Sequence, residues 1–409
     1  MKTVVMAWRN LLRQKRRTLV TLSALIVGLC GVVVFQGYIT SFMEAARDRT
    51  IHSGIGHLQI ARSAGYFADG EFNPYAYALT DSDKLRAGLQ AQPGVLAVFP
   101  STGFTSIAGK GDKSITLLVK GYPADRMFFA PARGQVAPPA DRFSLGTLLA
   151  GAQPAQGEND RIVLGETAAR ILGAGPGSVL TLMAILSDGG VNGRDFTVSG
   201  VYRDPGRDKI FAFTDYDSAA GFTGIQGAAV LHVLARNVRD VDSIAASVPA
   251  GLAVRSWHDL ATFFVQANAM FIGFLGVIRA IILLVTLFIM ANTMNRIVLE
   301  RMREWGTLRA MGMRKGTILL LVVLEGCFQG IVGAALGILL GFGVSELLNL
   351  KGGVFVPFAT GAHMVVTISL DTRTVWSNLI PAGLFAGAAA FLPGLRAVRR
   401  TPSECLRQI

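Results

Sequence analysis

Four stretches of the sequence contain no charged residue and are apolar enough to cross a lipid bilayer: residues 18–43, 280–295, 326–345 and 374–395. A helix of about 20 apolar residues spans the roughly 30 Å of hydrocarbon in a bilayer, so each stretch predicts a transmembrane helix. Composition agrees, because 51% of the residues are hydrophobic and only 16% are charged. We therefore predict four transmembrane helices rather than a soluble globule.

The segment between the first two stretches has a different composition. Residues 44–259 carry basic and acidic side chains in nearly equal numbers, interleaved with glycine, proline and short β-branched runs. Such a mixture is typical of a folded aqueous domain, and the segment is long enough to bury a core of its own. We therefore predict one large domain outside the membrane.

The net charge of +12 comes entirely from the rest of the chain, next to the apolar stretches. Basic residues precede the first stretch, fill residues 298–315 and continue into the tail at 396–409. Because loops rich in Lys and Arg stay in the cytoplasm, we predict cytoplasmic termini, an outer loop at 346–373 and an outer domain beyond the cell inner membrane. The excess positive charge is then explained by the orientation of the chain in the membrane, and we expect no nucleic-acid partner.

The N-terminal segment 1–17 places apolar and basic residues on largely opposite helical faces. This predicts a cytoplasmic amphipathic elbow helix, with a simple basic anchor as the alternative. The apolar stretch that follows is much longer than the core of a signal peptide, so we expect it to remain as a transmembrane helix. Cys30 and Cys327 fall in predicted spans and Cys405 in the tail, so the outer domain must fold without disulfides.

Alternating apolar and polar residues predict an α+β fold for the outer domain, made of two subdomains. Two groups of strands and helices, one early and one late in the segment, are predicted to form the first subdomain. A β-rich subdomain at about residues 155–225 is inserted between them, after a predicted linker at 131–154 that is rich in Ala, Pro and Gly. The two groups comprise strands at 57–61, 95–107 and 114–120 with a helix at 82–90, and strands at 229–235 and 252–255 with a helix at 241–246.

The charge-poor segment 260–295 is too long for one crossing, and Arg279 interrupts it. At about 1.5 Å per residue, Arg279 lies roughly 31 Å from Glu300, which places it at the outer head groups. We therefore predict a stalk helix over 260–279 and the second transmembrane helix over 280–297; the alternative is that Arg279 is a functional charge inside the membrane. The stalk has an apolar coiled-coil seam, which needs a partner helix. The seam consists of Phe264, Ala267, Phe271, Phe274 and Ile278.

The third predicted helix, residues 316–345, repeats small residues at a spacing that lets transmembrane helices approach closely. We interpret them as packing positions, with a sliding seam as the alternative. Glu325 lies in the same helix, where an ionised carboxylate is costly, so it should face other helices, and Asn292 is its candidate partner. A structural hydrogen bond and a conformational or proton-linked role both stay open for Glu325. The packing glycines are Gly326, Gly330, Gly333, Gly337 and Gly341.

The segment that follows the second predicted transmembrane helix carries the pattern E-R-x-R-E-x-G-x-L-R-A-x-G and ends on Gly312. This pattern resembles the coupling region of MacB/FtsX/LolE-type, or type VII, ABC transporter permeases. Residues 163–182 with 196–204 and the chain end at 393–407 resemble the same family. The resemblance therefore extends over the whole chain and is closest in layout to the LolE-like branch.

The resemblance implies a permease subunit whose coupling helix enters a cleft on a separate cytosolic ATPase. It implies no catalytic residue, no metal site and no cofactor in this chain, with ATP and Mg²⁺ bound by the partner ATPase. Trp305 departs from the smaller aliphatic residue common in the family, and we interpret it as a mark of a specific ATPase partner. The implied ATPase contacts are Glu300, Arg301, Glu304, Trp305, Gly306, Leu308, Arg309 and Gly312.

Further partners implied by the resemblance are a second permease copy, identical or related, membrane lipid, and a periplasmic carrier or adaptor. The expected function is coupling of ATP hydrolysis to lipoprotein or lipid extraction. MacB-like efflux of peptides or amphiphiles and FtsX-like mechanotransmission to an outer hydrolase are the alternatives within the family. A membrane receptor without an ATPase is a further alternative, but it would leave the coupling pattern unexplained.

Overall fold

The computed structural model describes residues 6, 15–70, 73–132, 138–186, 189–204, 209–357 and 363–399. The chain divides into two units. The membrane unit contains residues 1–45, 267–356 and 363–409, and the outer unit contains residues 46–266 and 357–362. Most of the predicted elbow helix, at residues 1–5 and 7–14, and the tail from residue 400 onwards lie outside the described residues.

The described residues form helices, strands and a few single turns. The helices are α1 (Lys15–Thr50), α2 (Tyr66–Asp69), α3 (Ser82–Gln90), α4 (Glu166–Leu172), α5 (Tyr216–Thr223), α6 (Val241–Ala246), α7 (Trp257–Leu260), α8 (Thr262–Glu300), α9 (Met302–Ala310), α10 (Lys315–Leu350) and α11 (Thr372–Arg399). The strands are β1 (Leu58–Ala61), β2 (Val95–Lys110), β3 (Lys113–Tyr122), β4 (Met127–Pro131), β5 (Phe143–Gly151), β6 (Arg161–Gly165), β7 (Val179–Ile185), β8 (Val191–Arg203), β9 (Phe211–Asp215), β10 (Val230–Ala235), β11 (Ala253–Ser256), β12 (Val354–Pro357) and β13 (His363–Val366). A π-helical turn covers Ile51–Ile55, and 3₁₀ turns cover Pro74–Tyr77, Ala124–Arg126 and Val238–Asp240.

The four longest helices, α1, α8, α10 and α11, confirm the four predicted membrane spans, since each is long and apolar enough to cross a bilayer. Hydrocarbon offers no hydrogen bonds, so an apolar segment that crosses it must pair its backbone groups internally, as a helix does. α8 runs without a break through Arg279 and therefore includes both the predicted stalk and the predicted second span. Between α10 and α11, strands β12 and β13 pair as a two-stranded sheet.

Glycines on two faces of α10 bring that helix close to its neighbours. A Cβ atom added at Gly326 or Gly330 would lie 2.7 Å or 2.5 Å from the Cβ atoms of α11 alanines. Added Cβ atoms at Gly333, Gly337 and Gly341 would instead lie within 3.1 Å of atoms of α1. Small residues allow backbones to approach, and in lipid the resulting van der Waals contact holds helices together.

One mixed sheet of eleven strands organises the outer unit, in the order β11-β1-β10-β2-β3-β9-β6-β8-β5-β4, with β7 paired to β2 and β8. The long strand β2 joins its two halves, because its beginning pairs with β10 and its end pairs with β3 and β7. Helices α3 and α6 contribute to the apolar core of the first half, while α4 and α5 contribute to that of the second. The predicted α+β fold is confirmed.

Two predictions about the second half differ from the structure. The segment 131–154 was predicted as a linker, but it contains β5, whose Phe143 and Leu145 are fully buried and which pairs with β4 and β8. The inserted subdomain at 155–225 does not form a core alone, since Phe104 of β2 and Leu117 of β3 pack into it. Both strands pair with segments distant in sequence, which a local pattern does not reveal.

The chain enters the sheet of the outer unit through the π-helical turn, to which the buried His232 is hydrogen-bonded. Gly54 within the turn has a φ of 110°, a left-handed conformation that glycine adopts without strain. His232 Nδ1 lies 3.2 Å from the carbonyl oxygen of Ile55, and its Nε2 lies 2.8 Å from Ser101 Oγ. Burial lowers the pKa of His232 to about 3, so the ring is neutral at pH 7. Since a carbonyl only accepts, Nδ1 donates to Ile55 and Nε2 accepts from the Ser101 hydroxyl.

Candidate functional site

The short helix α9 lies between the long helices α8 and α10 and contains the coupling pattern. It follows α8 after a break at Arg301, whose backbone N–H still donates to the carbonyl of Ile297 at 3.1 Å. At its other end Gly312 has a φ of 94°, which reverses the chain before α10 begins at Lys315. A left-handed glycine just beyond a helix is a common stop signal. The sequence therefore fixes α9 as a separate turn-bounded helix.

α9 has one buried face and one exposed face. Met302, Trp305 and Gly306 are buried, and Trp305, with 1% of its surface exposed, packs among buried side chains of α8, α10 and α11. Leu308 is partly buried against the same cluster. The exposed face consists of Glu300 at the end of α8 with Arg303, Glu304, Thr307, Ala310 and Met311.

Arg301 links α9 to the interior of α10. Its guanidinium donates from Nη1 to Glu325 Oε1 at 3.0 Å and to Oε2 at 3.3 Å, and from Nε to Glu304 Oε2 at 2.8 Å. It also lies 4.6 Å from the ring centre of Trp305. The side chains of Arg301 and Glu325 are only 13% and 6% exposed. A buried carboxylate is tolerable when a cation pairs with it, so the ion pair with Arg301 offsets the desolvation penalty of Glu325 in this helix.

This arrangement corrects the predicted partner of Glu325. Asn292 is exposed on α8, and the carboxylate pairs with Arg301 instead. The prediction compared depths along straight helices and did not allow for the reach of an arginine side chain. The structure thereby favours a structural ion pair for Glu325 over a hydrogen bond with Asn292.

The structure also corrects part of the implied ATPase contact set. Arg301, Trp305 and Gly306 face the membrane helices, and Arg309 donates from Nη1 to the carbonyl oxygen of Val398 near the end of α11, at 3.3 Å. A cation at that position stabilises the negative end of a helix. Glu300, Glu304 and Gly312 are exposed, as a docking surface requires.

Four exposed residues of this face were missed by the sequence analysis: Arg303, Thr307, Ala310 and Met311. A signal was present, because a helical period counted from the apolar Met302 and Trp305 leaves these residues on the opposite side. Met311 is 71% exposed, which makes it the most prominent apolar side chain of the face.

The predicted stalk seam lies on the less exposed side of α8, with one exception. Phe264 contacts Trp257, with ring centres 5.8 Å apart, and Phe271 contacts Phe42 of α1, with ring centres 6.4 Å apart. Phe274, which was predicted within the seam, is 57% exposed. It belongs instead to a long apolar stripe of α8 that we call the α8 stripe, which consists of Phe263, Met270, Phe274, Val277, Ile281, Leu284 and Phe288.

Comparison with known families gives two matches that together cover most of the chain. Residues 18–250 match the MacB-like periplasmic core domain, and residues 276–402 match the FtsX-like permease C-terminal family. The second match contains α9, α10 and α11 with the coupling pattern, and the first contains α1 and nearly all of the outer unit.

Individual relatives agree with these matches. ABC transporter permease YtrF of Bacillus subtilis is 29% identical over 127 residues, which are 31% of this chain and 28% of YtrF. Macrolide export ATP-binding/permease protein MacB of Chlorobaculum tepidum is 36% identical over 116 residues, 28% of this chain and 16% of MacB. Lipoprotein-releasing system transmembrane protein LolC of Neisseria meningitidis is 21% identical over 451 residues, 98% of each chain.

The matched segments thus span less than a third of YtrF and MacB and nearly all of LolC. The core-domain match alone covers more than half of this chain, and the second match covers the helices that follow. The chain therefore belongs to the MacB/FtsX/LolC-type family of ABC transporter permeases.

Proposed function

We propose that this chain is the permease subunit of an ATP-driven machine of the inner membrane that extracts or exports a lipoprotein or lipid. A separate cytosolic ATPase docks on the exposed face of α9, and its motion reaches the outer unit through the long helices. The observation that carries the proposal is the division of α9 into two faces, one packed on three membrane helices and one exposed.

The exposed face has the chemistry of a protein interface. Met311 supplies an exposed apolar anchor, and Arg303 and Glu304 supply charges of both signs beside it. Apolar anchors surrounded by polar side chains are typical of specific protein contacts. Arg301 then ties the docked helix to α10, so a displacement of α9 acts directly on the membrane helices.

The coupling surface is tested by reversing its character without touching the buried face. We expect the double variant Glu304→Lys with Met311→Asp, expressed with its ATPase, to lose co-purification and stimulated ATP hydrolysis. Glu346→Lys is the matched control, since Glu346 is an exposed acid near the other end of α10. Unchanged ATPase stimulation in the double variant, with the control also unchanged, would remove α9 as the docking site.

The α8 stripe supports a second permease copy as a partner. Its residues recur at alternating intervals of four and three or at seven, which is the period of a coiled-coil seam. A helix of 39 residues is about 58 Å long, whereas hydrocarbon covers roughly 30 Å, so lipid alone leaves part of the stripe uncovered. We propose that the α8 helices of two copies pack together along it.

Disulfide crosslinking in native membranes tests this pairing, in a background from which Cys30, Cys327 and Cys405 have been removed. Phe274→Cys should form a covalent dimer on mild oxidation. Phe271→Cys is the control, because Phe271 contacts Phe42 of its own chain. If the two variants crosslink equally, the stripe is not the contact.

The proposal for the substrate rests on the match to LolC, which covers 98% of both chains and whose name states lipoprotein release. Proteoliposomes that contain the permease, its ATPase and an acylated lipoprotein should release the lipoprotein only with ATP and a soluble carrier. The match to the MacB-like core domain favours efflux of peptides or amphiphiles with an adaptor as the second candidate. Accumulation of a labelled peptide inside inverted vesicles, without lipoprotein release, would decide for that second candidate.

A further inference from the structure

A groove of about 720 Å³ opens on the outer unit, and His232 is not among the residues that line it. It is bounded by helix α3, by the segment just before that helix, and by residues 247–252 after α6. Cavities of a few hundred to about a thousand Å³ are the size that holds small organic ligands in proteins. The groove lies outside every element that the proposed coupling mechanism uses.

The floor of the groove is apolar. Leu79 and Leu89, which are 7% and 2% exposed, belong to the buried core of the first half of the sheet. Leu85 and Leu252 are partly buried against the same core and complete the floor. The leucine part of the lining is therefore continuous with the apolar core, and it would favour burial of a hydrocarbon chain.

The mouth of the groove carries net positive charge. Arg62, just after β1, and Lys84 of α3 line it, and both are exposed. Among the described residues of the lining, Asp81 is the single acid, and it lies 3.7 Å from Lys84 Nζ. At the far end Ser247 donates to Gln92 Oε1 at 2.8 Å, which leaves a neutral polar edge there.

We propose that this groove binds a single-chain amphiphile with an anionic head group, the hydrocarbon chain lying on the leucines and the head group at Arg62 and Lys84. The chemistry is complementary at both ends, since the apolar floor takes the chain and the two cations, which outnumber the single acid Asp81, take the charge.

This inference rests on the proposed function, because an amphiphile site in the outer unit serves a machine that handles amphiphiles outside the membrane. It adds a site that the membrane helices do not provide. The binding test below needs no ATPase, so its result is independent of the coupling test at α9.

Binding is measured on the full chain in lipid nanodiscs. Cys30, Cys327 and Cys405 are replaced by alanine, and Thr80→Cys at the exposed edge of the groove carries an environment-sensitive fluorophore. Palmitate is the probe, and hexadecyltrimethylammonium and hexanoate test the need for a negative head and for a long chain. We expect a saturable shift with palmitate alone.

Two sets of variants tie the signal to the groove. Gly88 lines it, and a Cβ added there meets no atom within 4 Å, so Gly88→Trp can fill the groove without disturbing the helix and should abolish the shift. Gly175→Trp is the matched control, since Gly175 is equally open and lies outside the lining. Loss of the shift in both variants, or in neither, would overturn the proposal.

The charge claim has its own variants. Arg62→Ala with Lys84→Ala should weaken palmitate binding about tenfold or more, and Asp81→Asn should strengthen it, because the competing acid is gone. Arg86→Ala is the control, because Arg86 lies on the same helix outside the lining and pairs with Asp83 at 3.4 Å. Equal shifts with palmitate and hexadecyltrimethylammonium would remove the anionic specificity and with it the proposal. A normal palmitate result with failed coupling at α9 would leave the site standing and remove the proposed function.

Discussion

Replacing Arg301 should cost far more than its position at the end of a helix suggests. In Arg301→Met the Glu325 carboxylate keeps its burial but loses two hydrogen bonds, at 3.0 and 3.3 Å, and its neutralising cation. Breaking a buried ion pair from one side typically costs about 3 to 5 kcal/mol. Because 13% of the Arg301 side chain is exposed, we expect the lower end, about 3 kcal/mol.

The reverse replacement should cost less. In Glu325→Gln the guanidinium keeps Glu304 at 2.8 Å and the face of Trp305 at 4.6 Å, so the cation remains partnered. We expect a loss of about 1 to 2 kcal/mol, the range for weakening a charged hydrogen bond. The double variant Arg301→Met with Glu325→Leu removes both charges and should recover most of the loss, since apolar residues often replace a buried pair without penalty.

The assay is thermal unfolding in nanodiscs, followed by intrinsic tryptophan fluorescence, to which Trp305 contributes. A loss of about 3 kcal/mol corresponds to a fall in Tm of roughly 6 to 12 °C for a unit of this size. Arg303→Met is the matched control, because Arg303 is an exposed arginine two residues along the chain. If Arg301→Met lowers Tm no more than Arg303→Met, or if the double variant is worse than either single variant, the ion pair does not carry the stability assigned to it.

Three further predictions address the topology, the helix packing and the histidines. Asp83 and Thr307 are both exposed. Asp83→Cys should react with a membrane-impermeant maleimide on intact cells and Thr307→Cys should not, and the reverse pattern would show that the predicted topology is inverted. Gly330→Ala should lower Tm, because its Cβ would lie 2.7 Å from the Ala382 carbonyl oxygen and overpacking costs about 1 to 3 kcal/mol, whereas Gly316→Ala meets no neighbour and should be neutral. Burial lowers the pKa of His232 to about 3, below the unfolded value of 6.5, so the unfolded state binds the proton first and the outer unit should lose stability as pH falls below 6.5, by up to about 2 kcal/mol at pH 5. His232→Asn should reduce that pH dependence in a chemical unfolding series and leave the part due to His57, whose pKa burial lowers to about 4, and an unchanged slope would exclude His232 as a source.

The membrane helices were predictable because the bilayer imposes both their length and their composition. Residues 18–43 and 374–395 contain no charge at all, and each falls inside one observed helix. The packing glycines followed from spacing for the same reason, since few other residues allow close approach in lipid.

The errors at α9 and β5 have a different origin. Trp305 was interpreted by its place in a motif, while its burial follows from the helical period that it shares with Met302. β5 was missed because one of its pairing partners is distant in sequence, as in the pairing of Thr147 with Arg203. Its Gly146, which adopts a φ of 139°, also made the segment look like a loop. The Arg301 to Glu325 pair joins residues on different helices, which no pattern along one helix can reveal.

The two strands that carry the chain into and out of the outer unit are direct neighbours. β1 and β11 pair antiparallel, with Leu58 at the start of one opposite Ser256 at the end of the other. Opposed pulls on the two connections would slide β1 along β11 and shear a ladder of only four residue pairs. A pull shared by both would move the pair together and pass through β10 to the whole sheet. The outer unit should therefore move as a whole when both connections are pulled together. When they are pulled in opposite directions, the β1–β11 ladder should break first.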